Sequence, residues 1–173
     1  MTYTLKREEL GNGFLVSVLE ALAKAYNEIG AEVYVVGAAA RDLSLKLLKA
    51  GNAPRRTMDL DVAVLLEKWD EYERLTGILI KDGFVKAPEK QRFYYCGLEN
   101  VRYEVDIVPF GDIAQEEMVA WPPEGNPVMS VRSFADVMKN ADKVSVEDLF
   151  DFRMASLSGQ WLIKLDAWCD RHL

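Results

Sequence analysis

Two aspartates separated by one residue, Asp59 and Asp61, stand at the head of an apolar run that ends at Val64. The alternation predicts a β-strand, in which residues two apart point to the same face. Both carboxylates then converge, while Leu60 and Val62 enter the core. Mg²⁺ prefers one or two carboxylates together with substrate phosphates as its ligands. The pair therefore predicts a magnesium–nucleotide site.

A candidate phosphate-binding turn precedes the two aspartates. Gly37 follows the apolar run of residues 33–36 and comes before a helical pattern. A strand, turn and helix in this order can direct backbone N–H groups at the helix start toward a phosphate. The loop before the aspartates carries Arg55 and Arg56, which are either solvated loop charges or phosphate contacts, and the sequence leaves both interpretations open.

A third carboxylate, Asp106, lies in a later apolar run over residues 101–109. In a strand, Asp106 and Glu104 share one face. If this strand is the neighbour of the first, Asp106 lies beside Asp59 and Asp61. The alternative is that Asp106 caps a turn at the end of its strand.

Periodicity elsewhere predicts the elements that position these residues. Helices are predicted over residues 14–29, 41–50, 67–81, 133–141 and 160–173. Strands are predicted over residues 33–36, 57–64, 84–85, 92–96 and 101–109, and late in the chain around 144–146 and 150–154. Residues 1–12 are expected to be a polar lead-in, and residues 110–131 to be irregular. The order predicts an α/β or α+β fold, a mixed β-sheet flanked by helices, in one domain spanning residues 1–173.

Composition limits the partners. The 173-residue chain has 50% hydrophobic residues and a net charge of −7. These values indicate one globular domain with a sizeable core. They argue against broad, sequence-independent binding of nucleic acid, which requires a basic surface. The expected partner is then a small molecule, a protein, or RNA bound at a local basic patch. The single histidine, His172, excludes zinc sites and catalytic triads built on histidine.

Cysteine usage and hydropathy indicate the compartment. Cys96 and Cys169 lack metal-ligand spacing and are predicted to be buried small hydrophobes in a reducing environment. The sequence shows neither a signal peptide nor an apolar run long enough to cross a membrane. We therefore expect a cytoplasmic protein with no membrane segment.

The segment Val-Gly-Ala-Ala-Ala-Arg-Asp at residues 36–42, followed by Met-Asp-Leu-Asp-Val at 58–62, resembles the signature of the DNA polymerase β-like nucleotidyltransferase superfamily. In its CCA-adding and poly(A)-polymerase-like members, a Gly-Gly or Gly-Ser turn leads to an Arg-Asp pair and then to Asp-x-Asp. Ala38 departs from that turn, which weakens the expected hold on the nucleotide. The resemblance implies that the catalytic residues, which also bind Mg²⁺ or Mn²⁺, are Asp59, Asp61 and Asp106. The expected nucleotide-binding residues are Gly37, Ala38, Arg41, Lys164 and Arg56.

Two of these nucleotide-binding assignments have open alternatives. Arg41 and Asp42 could instead be a first-turn pair that helps their helix begin. Lys164 could be a solvent-facing lysine on an amphipathic helix. Its assignment comes from residues 155–171, which resemble the segment after the catalytic domain in AbiEii-type abortive-infection toxins and predicted bacterial nucleotidyltransferases. There a helix lysine serves the nucleotide phosphates or the transfer step.

The same resemblance implies a toxin of a toxin–antitoxin system, with an antitoxin protein as partner. The family's downstream Arg-Asp-x-x-Asp element is absent from the sequence. Two interpretations follow: a fragment of a longer protein, in which helix 160–173 begins a further segment, or a short form that lacks part of the site.

The expected activity is transfer of a nucleoside monophosphate from a nucleoside triphosphate to a hydroxyl acceptor on RNA, a protein or a small molecule. A different class of function is a catalytically inactive module of the same fold that binds a nucleotide or a protein. Ala38 and the missing downstream element favour that alternative, and the three carboxylates count against it. A third interpretation is a sugar-nucleotide glycosyltransferase using Asp-x-Asp, which the preceding Gly-Ala-x-x-Arg-Asp block disfavours.

Overall fold

A large mixed sheet forms the centre of the protein. The computed structural model describes residues 1–10, 13–50, 59–96 and 102–172. The strands of the large sheet are β1 (Thr2–Leu5), β2 (Tyr34–Val35), β3 (Asp59–Leu65), β4 (Phe84–Lys86), β5 (Arg92–Cys96), β6 (Arg102–Phe110), β9 (Asp142–Val146) and β10 (Phe150–Met154). Their order across the sheet is β1-β9-β10-β2-β3-β6-β5-β4. A small antiparallel pair is formed by β7 (Met118–Ala120) and β8 (Val128–Ser130).

Helices flank the large sheet in two groups. They are α1 (Gly13–Glu28), α2 (Gly37–Leu47), α3 (Trp69–Lys81), α4 (Phe134–Lys139) and α5 (Leu157–His172), with a short 3₁₀ helix at Arg7–Leu10. In one group α1 packs against α3 and β10, and in the other α2 packs against β3 and α5, which also contacts α4. None of the helices in the described ranges is both long and apolar enough to cross a membrane.

The centre of the sheet is built from strands that alternate as predicted. In β3 the side chains of Leu60, Val62 and Val64 are buried, whereas Asp59 is exposed and Asp61 is partly buried. The next strand, β6, buries Val105 and Ile107 in the same alternating way. Burial of each such aliphatic side chain stabilises the fold by about 1.5–3 kcal/mol relative to exposure. The register of these two strands is therefore fixed by the core, and the polar residues between are forced onto the other face.

The predicted fold class is confirmed, and most of the predicted elements are present. The first exception is residues 1–12, predicted to be a polar lead-in, because β1 lies there and pairs in parallel with β9. The second is residues 110–131, which include β7 and β8, although residues 121–127 stay outside the strands as expected. Helices α2 and α5 begin four and three residues earlier than predicted, at Gly37 and Leu157. The turn predicted at Glu99–Asn100 lies outside the described residues.

The two cysteines differ from their predicted burial. Both are free thiols, as expected, but Cys96 is exposed and Cys169 is only partly buried. Cys96 is the last residue of β5 and pairs with Arg102, an exposed residue at the first position of β6. The prediction of burial is wrong for Cys96 because a strand end leaves the sheet core.

Candidate active site

The carboxylates meet because β3 and β6 are parallel neighbours. The register pairs Asp61 with Asp106 and Asp59 with Glu104. Neighbouring strands lie about 4.8 Å apart, and residues in register point to the same face. Four carboxylates therefore occupy two adjacent rows on one face of the sheet. The predicted neighbourhood of the two strands is confirmed, whereas the catalytic role of the residues stays a prediction.

Asp61 is the electrostatic centre of this group. Burial, followed by the nearby carboxylates of Asp106 and Asp59, raises its pKa from 3.8 to about 6, against a lowering effect of Arg92. Within the described ranges no hydrogen bond or ion pair reaches the side chains of Asp59 and Asp61. The described residues thus compensate the negative charge of Asp61 poorly, and a cation at this position would relieve the repulsion.

The start of α2 lies directly against Asp61. The Val36 N–H group donates a hydrogen bond of 2.9 Å to the Asp61 carbonyl oxygen, which joins the turn to β3. Gly37 has a φ of +64°, and a Cβ atom there would overlap the Asp61 carboxylate, with Cγ only 3.0 Å away. Position 37 therefore requires glycine for both backbone conformation and space.

The same turn can receive an anion. No side chain caps the N-terminus of α2 at Val36. The first N–H groups of an α-helix have no partner within the helix, and the helix dipole places partial positive charge there. A phosphate bound at Gly37 and Ala38 would lie next to the carboxylates. This is the arrangement that the sequence predicts for a triphosphate beside its metal ligands.

Arg92 is a member of the candidate site to which no sequence motif points. It lies opposite Asp106 on the antiparallel strand β5. Its guanidinium donates from Nε to Asp106 Oδ1 at 2.8 Å and from Nη2 to Asp106 Oδ2 at 2.9 Å. A third interaction joins Nη1 to Glu104 Oε2 at 3.1 Å. The hydrogen bonds to Asp106 raise the pKa of Arg92 further above its ordinary value. Counting back along the predicted hairpin from a turn at residues 99–100 would have placed Arg92 within one residue of Asp106.

Of the other predicted nucleotide-binding residues, only Ala38 lies at the candidate phosphate-binding turn. Ala38 follows Gly37 in the first turn of α2. The Arg41 guanidinium donates to its neighbour Asp42, with Nε 2.8 Å and Nη2 2.6 Å from Oδ1. The contact is a local ion pair, but α2 begins at Gly37, so Arg41 and Asp42 lie beyond its first turn and are not the helix-starting pair of the alternative interpretation. Lys164 is exposed on α5, and no described contact joins it to the carboxylates. Arg55 and Arg56 lie outside the described residues.

The donor atoms suit a hard divalent cation, but their arrangement is incomplete. Mg²⁺ and Mn²⁺ are bound by carboxylate oxygens, and Asp59, Asp61 and Asp106 supply these. Among the described residues, however, no group of three or more His, Cys, Asp or Glu side chains is arranged to hold a metal ion. Both oxygens of Asp106 accept hydrogen bonds from Arg92. The donor chemistry of Asp59, Asp61 and Asp106 fits such an ion, and Asp106 shares its oxygens with Arg92.

Solved structures place this fold among known ones. The chain is similar to an antigenic nucleotidyltransferase-like protein from Paracoccidioides brasiliensis, with a TM-score of 0.57 and 18% identity over 97% of this chain and 70% of that one. Weaker similarity relates it to a lincomycin-bound lincosamide antibiotic adenylyltransferase, LnuA, with a TM-score of 0.48 and 12% identity over 91% and 85% of the two chains. A Thermotoga maritima CCA-adding enzyme complexed with tRNA gives a TM-score of 0.38 and 22% identity over 59% of this chain and 23% of that chain.

No protein-family model and no curated protein sequence matches the chain. The chain spans less than a quarter of the CCA-adding enzymes that it resembles, 23% and 22% in two of them. The mixed sheet flanked by helices, shared over nearly the whole chain with the P. brasiliensis protein, is a nucleotidyltransferase-like fold. Because one fold hosts many activities, function has to be argued from the site.

Proposed function

We propose that the protein is a metal-dependent nucleotidyltransferase, which moves a nucleoside monophosphate from a nucleoside triphosphate to a hydroxyl acceptor. One observation carries the proposal: the carboxylates of Asp61 and Asp106 are in register on adjacent strands, and the uncapped start of α2 at Gly37 packs against Asp61. The proposed ligands for a cation and for a phosphate are thus neighbours, as transfer from a triphosphate requires.

In this proposal the triphosphate is bound at the N–H groups of Gly37 and Ala38, where the helix dipole favours negative charge. Arg41, Lys164 and Arg56 are the proposed cationic contacts to the nucleotide. Arg41 would exchange its present bond to Asp42 for a phosphate oxygen, since a guanidinium can bind either anion through two N–H groups. Ala38 has no hydroxyl group, so at this position only the backbone N–H can contact the triphosphate.

The acceptor hydroxyl is activated at the carboxylates. Its oxygen forms a bond to the α-phosphorus, the bond from that phosphorus to the β-phosphate oxygen breaks, and pyrophosphate leaves. Asp106 is the proposed acceptor of the hydroxyl proton. Asp59 and Asp61, joined by Asp106, are the residues that would hold Mg²⁺ or Mn²⁺, which when bound neutralises phosphate charge and orients the reacting oxygens.

The net charge of the protein limits the class of acceptor. With a net charge of −7, the protein suits a small molecule, a protein or a locally bound RNA better than extended nucleic acid. The AbiEii-type resemblance of residues 155–171 extends the proposal to a cytoplasmic toxin with an antitoxin partner, and this extension rests on the sequence alone. We also propose that residues 1–173 form one domain.

The test is a labelling assay with each of four α-labelled nucleoside triphosphates, Mg²⁺ or Mn²⁺, and a cell extract as the acceptor pool. We expect a labelled product with the wild type and none with the Asp59→Asn/Asp61→Asn variant. Asp148→Asn, at an exposed turn between β9 and β10, is the matched control and should retain labelling. Labelling that survives in the double variant would overturn the proposal.

A second candidate, a catalytically inactive module that binds a nucleotide or a protein, is favoured by one observation: Arg92 occupies both oxygens of Asp106. The same assay separates the two functions, because the inactive module would bind a nucleoside triphosphate without forming product. The nucleotidyltransferase-like fold, with its anion-binding turn beside the aspartates, favours nucleotidyl transfer over the sugar-nucleotide alternative.

A further inference from the structure

We propose that Arg92 is an intramolecular competitor for the metal ion: its guanidinium holds Asp106 in the metal-free protein and has to release that carboxylate before the ligand set is complete. This inference rests on the metal dependence in the proposed function. It adds a positioning residue to the site, one that acts on the metal ligand Asp106.

The geometry of the ion pair supports the competition. Two parallel hydrogen bonds, at 2.8 and 2.9 Å, occupy one lone pair on each oxygen of Asp106. Bidentate pairing of this kind is stronger and more directional than a single contact, and lysine cannot reproduce it. A cation that approached Asp106 while these bonds persisted would be repelled by the adjacent guanidinium charge, so full binding requires that the bonds be displaced. Arg92 therefore lowers the affinity of the site for a metal ion.

Glu104 gives the displaced guanidinium a second partner. It lies two residues before Asp106 on the same face of β6 and already accepts from Arg92 Nη1 at 3.1 Å. The Arg92 side chain is 29% exposed and that of Glu104 is 43% exposed, so water can solvate both during the exchange. Arg92 can thus leave Asp106 through a side-chain movement, while its backbone stays paired in the sheet.

The release of Asp106 is driven by the metal ion and not by deprotonation of Arg92. Arginine stays charged across the accessible pH range, so Arg92 does not release Asp106 by losing its own proton. A loss of charge-assisted hydrogen bonds at a partly exposed site corresponds to about a tenfold change in an equilibrium constant. We expect removal of Arg92 to tighten metal binding by roughly that factor.

The experiment measures the affinity of the nucleotide-free protein for Mn²⁺, from the electron paramagnetic resonance signal of the free ion. Arg92→Gln is expected to bind Mn²⁺ about tenfold more tightly than the wild type. Arg102→Gln is the matched control, because it removes the same charge from the same pair of strands. The Arg102 guanidinium lies 3.9 Å from the centre of the Tyr94 ring. We expect the control to change the affinity by less than about twofold, as for a distant solvent-screened charge.

An equal or weaker affinity in Arg92→Gln would overturn the inference. An equal gain in Arg102→Gln would also overturn it, because a general change in charge would then explain the effect. Circular dichroism checks the fold of each variant. If Arg92→Gln does not fold, Arg92→Lys replaces it: a lysine keeps the charge without the bidentate pair, and an intermediate gain is expected.

Asp61→Asn separates this inference from the proposed function. If wild-type binding of Mn²⁺ requires Asp61 and Arg92→Gln does not tighten it, the inference fails and the proposed function stands. If neither the wild type nor Arg92→Gln binds Mn²⁺ in a manner that depends on Asp61, both fail. Binding that is detected only after Arg92 is replaced supports the inference.

Discussion

At the scale of single residues, the site combines charges that oppose folding with a contact that offsets part of them. Asp61 is partly buried beside two other carboxylates, and its pKa is raised to about 6. Asp106 is neutralised by Arg92, whereas Asp61 has no such partner among the described residues. An unfavourable charge kept in a packed position is a common property of functional sites.

The unfavourable charge of Asp61 predicts how the free energy of unfolding depends on pH. The pKa of Asp61 is higher in the folded protein, about 6, than its ordinary value of 3.8. Its favourable contribution is therefore complete below about pH 4 and is lost as the pH rises through about 6. Asp61→Asn should be more stable than the wild type at pH 8, by on the order of 2 kcal/mol, and similar to it at pH 4. Urea unfolding in the presence of a chelator measures this difference. Asp148→Asn should show no comparable gain in stability at pH 8. If Asp61→Asn were less stable than the wild type at pH 8, the prediction that the Asp61 charge destabilises the fold would be wrong.

At the scale of elements, hydrophobic alternation predicts β3 and β6 and the face on which Asp59, Asp61 and Asp106 lie. The same pattern could not predict short strands or pairings between strands that are distant in sequence. The strand β1 has only four residues, and it exists because Leu5 pairs with Val146 and its neighbours pair in register, 141 residues away in sequence. The pairing of Arg92 with Asp106 likewise depends on the exact hairpin register, since a shift of one residue would move Arg92 to the other face.

The junction of β2 and α2 gives a prediction for the element that carries the anion-binding turn. Gly37→Ala introduces a left-handed alanine and an overlap with the Asp61 carboxylate. Gly30→Ala is the matched control: φ at Gly30 is +74°, and no atom lies within 4 Å of the added Cβ. We expect Gly30→Ala to cost about 1 kcal/mol from backbone strain. Gly37→Ala should lower the free energy of unfolding by about 1–3 kcal/mol more than Gly30→Ala does, and it should abolish labelling. Urea unfolding measures the stability of both variants. An equal loss of stability in the two would show that the overlap at Asp61 is relieved without penalty.

At the scale of the whole molecule, the sequence was sufficient to predict a mixed sheet flanked by helices and the carboxylates on its central strands. It could not predict which ion pairs those carboxylates form, because ion pairs depend on side chains brought together from separate strands. The outward side of α5 shows the same limit. Its apolar residues follow helical spacing, yet Trp161 is 75% exposed and Trp168 is 56% exposed. Periodicity identifies a shared side of a helix but not what covers it.

The net charge of −7 and the carboxylate group lead to a prediction about the stability of the entire fold. A ligand that binds only the folded state raises the free energy of unfolding by RT ln(1 + [L]/Kd), which is about 2.7 kcal/mol at a concentration 100 times Kd. Mn²⁺ should therefore raise the Tm of the wild type, and a chelator should reverse this shift and stop labelling. Screening of an acidic surface would also raise Tm, so NaCl at equal ionic strength is the first control. The second is Asp59→Asn/Asp61→Asn, in which the excess shift from Mn²⁺ should disappear. An equal shift in that variant would place the bound ion away from these aspartates.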